Sequence, residues 1–346
     1  MKNTSKLASM VALAAIAFIS CKQEEEQKEF IQSANSAYII NEGNFGAGNG
    51  DISYVNLDND SITTELFNLA NDVPAGEVQS FTIVGDKGYI VAGGSNKIEV
   101  VNMDDFTSIT TISGLSLPRY MVVSGNTGYV SEWVGYTALD TGRIAVIDLN
   151  TNAITETINV SKSPDKMLIY ESKLYVVNKD TNLVSVIDLS NNTLEQNIVV
   201  PHGPNSLVVD NNNNLRILCS GRASWDAAGP TTGALVQIEN GNLSTVNFPN
   251  TDGNPSNLLI NKDGDMLYYN YNGVCKMASN STTITITPEI AGYYYGMAID
   301  QNNEVIYAFD ANGFVASGDA IRLYANGTID TLFSIGLIPN NASFVN

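Results

Sequence analysis

The chain reads as an all-β protein, a seven-bladed β-propeller closed by its own carboxy-terminal strand, and three features of its 346 residues lead to that reading. Hairpins of one type recur at nearly constant spacing, a proline marker recurs in step with them, and the two ends of the chain supply complementary parts of one repeat.

The amino terminus stands apart from the repeats. Lys2 and Lys6 precede an uncharged, mostly apolar run from Leu7 to Ser20, the pattern of a signal peptide over 1–20. That run is too short to span a bilayer, and no later segment has the roughly 18 to 20 uninterrupted apolar residues a transmembrane helix needs. Phe18, Ile19, Ser20 and Cys21 resemble a bacterial lipobox, with Phe18 where leucine is usual, so Cys21 is expected to carry a lipid; ordinary cleavage with Cys21 a bystander is the alternative. The acidic stretch Lys22, Gln23, Glu24, Glu25, Glu26 resembles a sorting signal for the outer face of an outer membrane, or is a solvated tether. Residues 21–34 are read as a lipidated acidic tether and 35–346 as the propeller.

The hairpins come next. Tyr54-Val55-Asn56-Leu57, Val100-Val101-Asn102-Met103, Val146-Ile147-Asp148-Leu149 and Val186-Ile187-Asp188-Leu189 place an Asn or Asp at intervals of 46, 46 and 40 residues. The second marker is a proline shortly before an alternating apolar strand: Pro118 with Met121 and Val123, Pro164 with Met167 and Ile169, Pro204 with Leu207 and Val209, Pro255 with Leu258 and Ile260. Val78 and Tyr294 hold the same frame without proline. Period-two patterning between Gly, Asn and Asp turns predicts strands throughout and no helix in the mature chain. Four short strands per 39 to 51 residues is one blade, and a lone blade cannot bury both faces, so neighbours must stack. The last marker, Pro339 with Ala342 and Phe344, opens a unit and stops, whereas the unit beginning at Ala37 lacks an opening strand. The carboxy-terminal strand is therefore expected to complete the first blade and remove an exposed edge. A tandem of β-sandwiches is the alternative, and it leaves the complementary ends without a reason.

Composition excludes several functions. Acidic residues number 36 against 17 basic ones, or 15 once residues 1–20 are removed, so polyanions are repelled and no nucleic acid partner is expected. His202 is the only histidine, in the turn Pro201-His202-Gly203-Pro204, and no strained Gly-x-Ser-x-Gly turn accompanies it, so no catalytic triad, no enzyme activity, no metal and no cofactor are expected. Asn261 to Asp265 and Asp300 to Glu304 are oxygen-rich but lack the spacing of a twelve-residue calcium loop. The glycine-rich Gly43 to Gly50 precedes no helix and reads as a flexible loop. Cys219 and Cys275 read as buried thiols, with a disulfide the alternative in an exported protein.

Segments leading into the innermost strands ring the channel of a propeller, so the residue after each marker should face its mouth. These are Gln79, Arg119, Asp165, Asn205, Ser256, Tyr295 and Asn340, all polar or hydroxyl-bearing. Two long loops, Ser131 to Ala138 and Gly221 to Asp226, hold both tryptophans, Trp133 and Trp225, together with Tyr136 and Arg222. Large aromatics in loops form either a contact surface or a cap over the channel. Tyr120, Tyr271, Tyr294, Tyr295 and Phe314, with Tyr293 and Phe45, are expected to extend that surface, and Arg119, Lys166, Lys179 and Arg222 are scarce cations that would suit carbonyl, carboxylate or phosphate groups.

The start around Cys21, the opening Ile39-Ile40-Asn41-Glu42-Gly43-Asn44-Phe45 and the Val-Ile-Asp-Leu hairpins together resemble the YncE-like propeller lipoproteins of Bacteroidota, a group that includes the BtuG-like cobalamin-capturing proteins. The likeness spans nearly the whole chain. It implies a propeller at the cell surface that captures a scarce nutrient, with cobalamin or a related corrinoid as the best single ligand, and passes it to a TonB-dependent outer-membrane transporter. A surface glycan-binding or adhesive propeller is the alternative. A hydrolase or lactonase, with a metal held by groups such as Asp165 and Asn205, is the third reading.

Overall fold

The computed structural model of the protein describes residues 32–137, 141–251 and 254–345. The expected signal peptide, Cys21 and nearly all of the tether lie outside the described residues, as does Ala138 at the end of the first tryptophan loop. Near the start of the described residues, the Ser33 N–H donates to the Tyr54 hydroxyl at 2.6 Å and its hydroxyl donates to Asp58 at 2.9 Å.

Seven antiparallel sheets of four strands each follow one another along the chain. Their first strands are Pro339–Val345, Val78–Val84, Pro118–Ser124, Pro164–Tyr170, Pro204–Val209, Ser256–Ile260 and Gly296–Asp300, and each touches the next in a closed circuit. These strands therefore line the axis. The first blade is built as expected from the complementary ends: Pro339–Val345 pairs antiparallel with Ser36–Asn41, which continues through Asp51–Asn56 to Ser61–Thr63.

Local chemistry explains the recurring hairpin signature. The Asn or Asp side chain accepts the backbone N–H two residues on: Asn56 from Asp58, Asn102 from Asp104, Asp148 from Asn150 and Asp188 from Ser190, at 2.8 to 3.0 Å. Such turns stop one strand and start the next at a set register. Alternate side chains then fill the space between blades. Tyr89, Val100 and Ile98 meet Met121, Val130 and Ile147, for example, and Val177 and Val184 meet Leu207, Ile217 and Val236. Between the first two blades an aromatic group does the same work, with Tyr38 stacked on Phe106 at 5.8 Å and against Phe81 at 5.5 Å. Cys219 and Cys275 are buried free thiols, and burial pushes Cys219 up to about 12 and Cys275 up to about 11.

Two short helical segments depart from the all-strand expectation. Leu66–Asn71 is a six-residue helix and Asn312–Phe314 a single 3-10 turn. Six residues are too few to show a helical period in sequence. The helix is held instead by a remote carboxylate: buried Asp51 accepts the N–H groups of Phe67 at 2.8 Å and Asn68 at 3.1 Å, besides that of Ile52. Desolvation outweighs these bonds and raises Asp51 from its ordinary value to about 6. An acid whose folded value lies above its unfolded one makes the fold more stable as pH falls through that window, here from about 6 toward the ordinary 3.8. Asp51→Ala should therefore destabilise more at pH 5 than at pH 7, by about 1 kcal/mol in urea titrations at the two pH values. An equal or smaller loss at pH 5 would show that the carboxyl is not held protonated by burial.

Candidate ligand site at the channel mouth

Six of the seven first strands carry an irregularity at their start, and that irregularity makes the site. Pairing skips Gln79, Arg119 with Tyr120, Asp165 with Lys166, Asn205, Asn257 with Leu258, and Asn340. A bulge frees a residue from the ladder and re-aims its side chain. The turn before it is left-handed, with φ of 50° at Leu117, 51° at Ser163, 75° at Gly203 and 58° at Ile338. Outside glycine such values store strain, which persists where the surroundings over-determine the backbone.

All seven residues after the markers line one of two adjoining cavities at the mouth, the larger about 870 Å³ and the smaller about 350 Å³. Glu42, Arg119, Lys179 and Tyr295 border both. Trp133, Tyr136 and Phe314 stand on the smaller cavity, with Phe45; Tyr120, Lys166, Arg222, Trp225 and Tyr294 stand on the larger. Tyr271 is a correction: it is buried against Phe248 at 4.8 Å and its hydroxyl donates to Asn250, so it belongs to the core between the fifth and sixth blades. Its position near the strand end mimicked a loop in the sequence. Tyr294 too is mostly core, with only its edge on the cavity and its hydroxyl donating to the Ala291 carbonyl.

The two tryptophans differ in kind. Trp225 is 83% exposed and offers ring surface to the larger cavity, which Tyr293, 77% exposed, also lines. Trp133 is half-buried, and its ring carries the Arg119 guanidinium 4.1 Å from its centroid and the Lys179 ammonium at 5.6 Å. It acts as a support for cations rather than as an open platform.

Charge at the mouth departs from that of the molecule. Arg119, Lys166, Lys179 and Arg222 face Glu42, Asp165, Asp180 and Asp226 around the larger cavity, four against four, whereas the chain has 17 against 36. Burial lowers the Lys166 ammonium below its ordinary value, Asp165 opposing and Lys179 reinforcing the shift, and Lys166 donates to Asn257 at 3.0 Å. Burial, then Glu42, raises the Tyr295 phenol; its hydroxyl donates to Glu42 at 2.8 Å, and Asn340 donates to the other oxygen of the same carboxylate at 2.5 Å.

Several site residues had no sequence signal. Glu42 and Asp180 sit in loops indistinguishable from other acidic turns, and His202, read as a turn residue without a role, lines the larger cavity with Nδ1 buried and unbonded. The glycine-rich segment is a loop as expected, but one that reaches across blades: Gly46 N–H donates to Glu77 and the Asn44 amide donates to the Phe314 carbonyl at 3.1 Å. Among the described residues, nine buried side-chain polar atoms lack a hydrogen-bond partner, and six belong to Gln79, Arg119, Trp133, Asp165, His202 and Asn340 at this mouth. No group of three His, Cys, Asp or Glu among the described residues is placed to hold a metal, and no helix among them is long and apolar enough to cross a membrane.

Comparison with known proteins supports the fold broadly. A functionally unknown protein from Desulfotomaculum acetoxidans matches at 10% identity and TM-score 0.67, over 90% of this chain and 99% of that one. The periplasmic gluconolactonase PpgL of Pseudomonas aeruginosa matches at 12% identity and TM-score 0.65 over 90% and 99%. Hydrazine synthase from Kuenenia stuttgartiensis matches at 16% identity and TM-score 0.59 over 81% and 88%. At these identities the likeness is one of fold. No curated protein matches in sequence. Residues 35–215, just over half of the chain, match the domain of unknown function DUF5074, and the chain belongs to that family.

Proposed function

We propose that this propeller is a binding module rather than an enzyme, and that its channel mouth captures a large polar organic molecule, a corrinoid being the ligand to test first. The observation that carries the reading is the convergence of six unpartnered buried polar groups on cavities rimmed by exposed aromatics. Buried polar atoms are normally bonded within the fold, and a cluster of exceptions at a concave site suits a polar partner. The signal-peptide and lipobox pattern ending at Cys21 supports display on the outer membrane and transfer of the cargo to a TonB-dependent transporter. A metal-dependent hydrolase is less well supported: Asn205 spends its amide on the Pro255 carbonyl at 2.9 Å and its oxygen on Ser206 at 2.7 Å, leaving little for a metal beside Asp165.

The test is co-elution of the full chain, in nonionic detergent, with cyanocobalamin in gel filtration, read by the ligand's visible absorbance. Stoichiometric colour in the protein peak is the expected result. Trp225→Ala should weaken binding about tenfold or more, as loss of an aromatic anchor does, while thermal stability stays within experimental error because the ring packs on little. Absence of colour at micromolar ligand would remove the corrinoid. Retention on an insoluble polysaccharide would then favour the glycan-binding alternative, in which Trp225 and Tyr293 serve as sugar platforms.

A further inference from the structure

We propose that Arg119, held on Trp133 and flanked by Lys179, is an oxyanion receptor that takes a carboxylate or phosphate group of the ligand; this rests on the binding reading above. Arg119 keeps only 20% of its side chain exposed, yet among the described residues its buried Nε has no hydrogen-bond partner. Its nearest opposite charge, Asp165 Oδ2, lies 3.8 Å from Nε, beyond hydrogen-bond reach, and that oxygen has no partner either. A guanidinium has five donors in a planar fork, and leaving a buried charged donor such as this Nε–H unpaired is costly.

The fold explains why Asp165 does not close the gap. Both residues sit on bulges, skipped by the ladder between Pro118 and Met121 and between Pro164 and Met167, so their backbones are set by two different blades. Trp133 fixes Arg119 from the other side. Its ring lies 4.1 Å from the guanidinium carbon and its backbone N–H donates to the Leu117 carbonyl at 3.1 Å, which ties the tryptophan loop to the turn that precedes Arg119. Lys179 lies near the same ring, 5.6 Å away.

Arg119 and Lys179 border both cavities and Asp165 the larger one, within a rim whose charges balance overall through Glu42 and Asp180. A single oxyanion between Arg119 and Lys179 fills the guanidinium fork in the bidentate geometry carboxylates and phosphates share. A neutral acceptor would pair with the same donor more weakly than a charged one. Asp165 then acts as a resident competitor: it holds Arg119 in place in the free protein and repels the arriving anion. Its replacement is therefore expected to tighten binding, an effect that a damaged fold does not produce.

The test uses the full chain carrying Trp225→Phe, which leaves Trp133 as the only tryptophan and makes its emission the reporter beside the guanidinium. Citrate and inorganic phosphate are titrated separately at constant ionic strength, the two arms distinguishing a carboxylate from a phosphate receptor. The expected result is a saturable change in emission with at least one of them. Adding Arg119→Gln should weaken it about ten- to a hundredfold, the range for hydrogen bonds to a charged group. Adding Asp165→Asn should tighten it about three- to tenfold by removing a like charge. No saturable change with either anion, or equal binding in Arg119→Gln, overturns the receptor. Weakening in Asp165→Asn also overturns it, in favour of a neutral amide-like group bridging the two side chains. Corrinoid co-elution and the anion titration fail separately: anion binding without colour removes the corrinoid and keeps the receptor, whereas colour unchanged by Arg119→Gln keeps the corrinoid and removes the receptor.

Discussion

Deleting residues 339–346 is expected to abolish cooperative folding, the largest effect of any change considered for this chain. The strand Pro339–Val345 forms six register pairs with Ser36–Asn41 and supplies the innermost strand of the first blade. Its loss exposes the edge of Ser36–Asn41, all six residues of which are buried. It also removes Ala342 and Phe344 from the cluster shared by the first and seventh blades, including the Phe344 contact with Tyr307 at 5.1 Å, and the Ser343 hydroxyl bond to the Phe81 carbonyl in the second blade at 2.7 Å. Ladder hydrogen bonds at about 1 kcal/mol each, with the burial of one aromatic at about 2 kcal/mol, sum to a loss comparable with the whole net stability of a typical domain. The fit is close as well as extensive: a Cβ on Gly296 would overlap the Asn340 carbonyl, so the seventh blade admits this strand only at a bare backbone. Thermal denaturation followed by circular dichroism should show a broad, non-cooperative profile for the truncated chain, and limited proteolysis should cut between blades. A cooperative transition within a few degrees of the intact chain would mean that the ring does not need its closing strand.

Arg143→Met is expected to cost about 3–5 kcal/mol, because it leaves a buried carboxylate uncompensated. Glu132 is completely buried at the end of Thr127–Glu132, directly opposite Arg143 in the neighbouring strand. The guanidinium grips it through Nε at 2.7 Å and a second nitrogen at 3.0 Å, and the Ser116 N–H donates to the same carboxylate at 2.5 Å. Glu132 thereby pins the segment before Leu117 and sits next to Trp133, so the pair underlies the support of Arg119. The double variant Arg143→Met with Glu132→Leu should recover most of the loss, since the unpaired charge goes with its partner. Chemical denaturation of the four members of the cycle measures this. A single variant costing under about 1 kcal/mol would place the pair among ordinary surface ion pairs.

Much of the architecture was legible because it depends on repetition. The Asn and Asp residues at 56, 102, 148 and 188 announce turns through local chemistry, since each side chain caps its own neighbour two residues on, and the prolines at 118, 164, 204 and 339 mark where strands begin. The residues after those markers could be placed on one mouth for the same reason. The six-residue helix at 66–71 was not legible, because the carboxylate that holds it comes from Asp51, fifteen residues earlier than its first residue.

Side-chain roles at the mouth lay beyond the sequence. Trp133 and Trp225 look alike as loop aromatics, yet one carries a guanidinium on its ring and the other faces outward; Tyr271 looked like a loop aromatic and is core. Glu42 meets Tyr295 and Asn340 across more than 250 residues of chain, and Arg119 stands 3.8 Å from Asp165 because two separate blades bulge toward the axis. The sequence by itself determined the all-β repeat, the closure of the ring and the face on which the polar residues gather, because strand period and turn chemistry act over a few residues. Only the tertiary structure decided which of those residues pair and which are left open, because hydrogen bonding and ion pairing are settled over a few ångströms between blades that the chain order holds far apart.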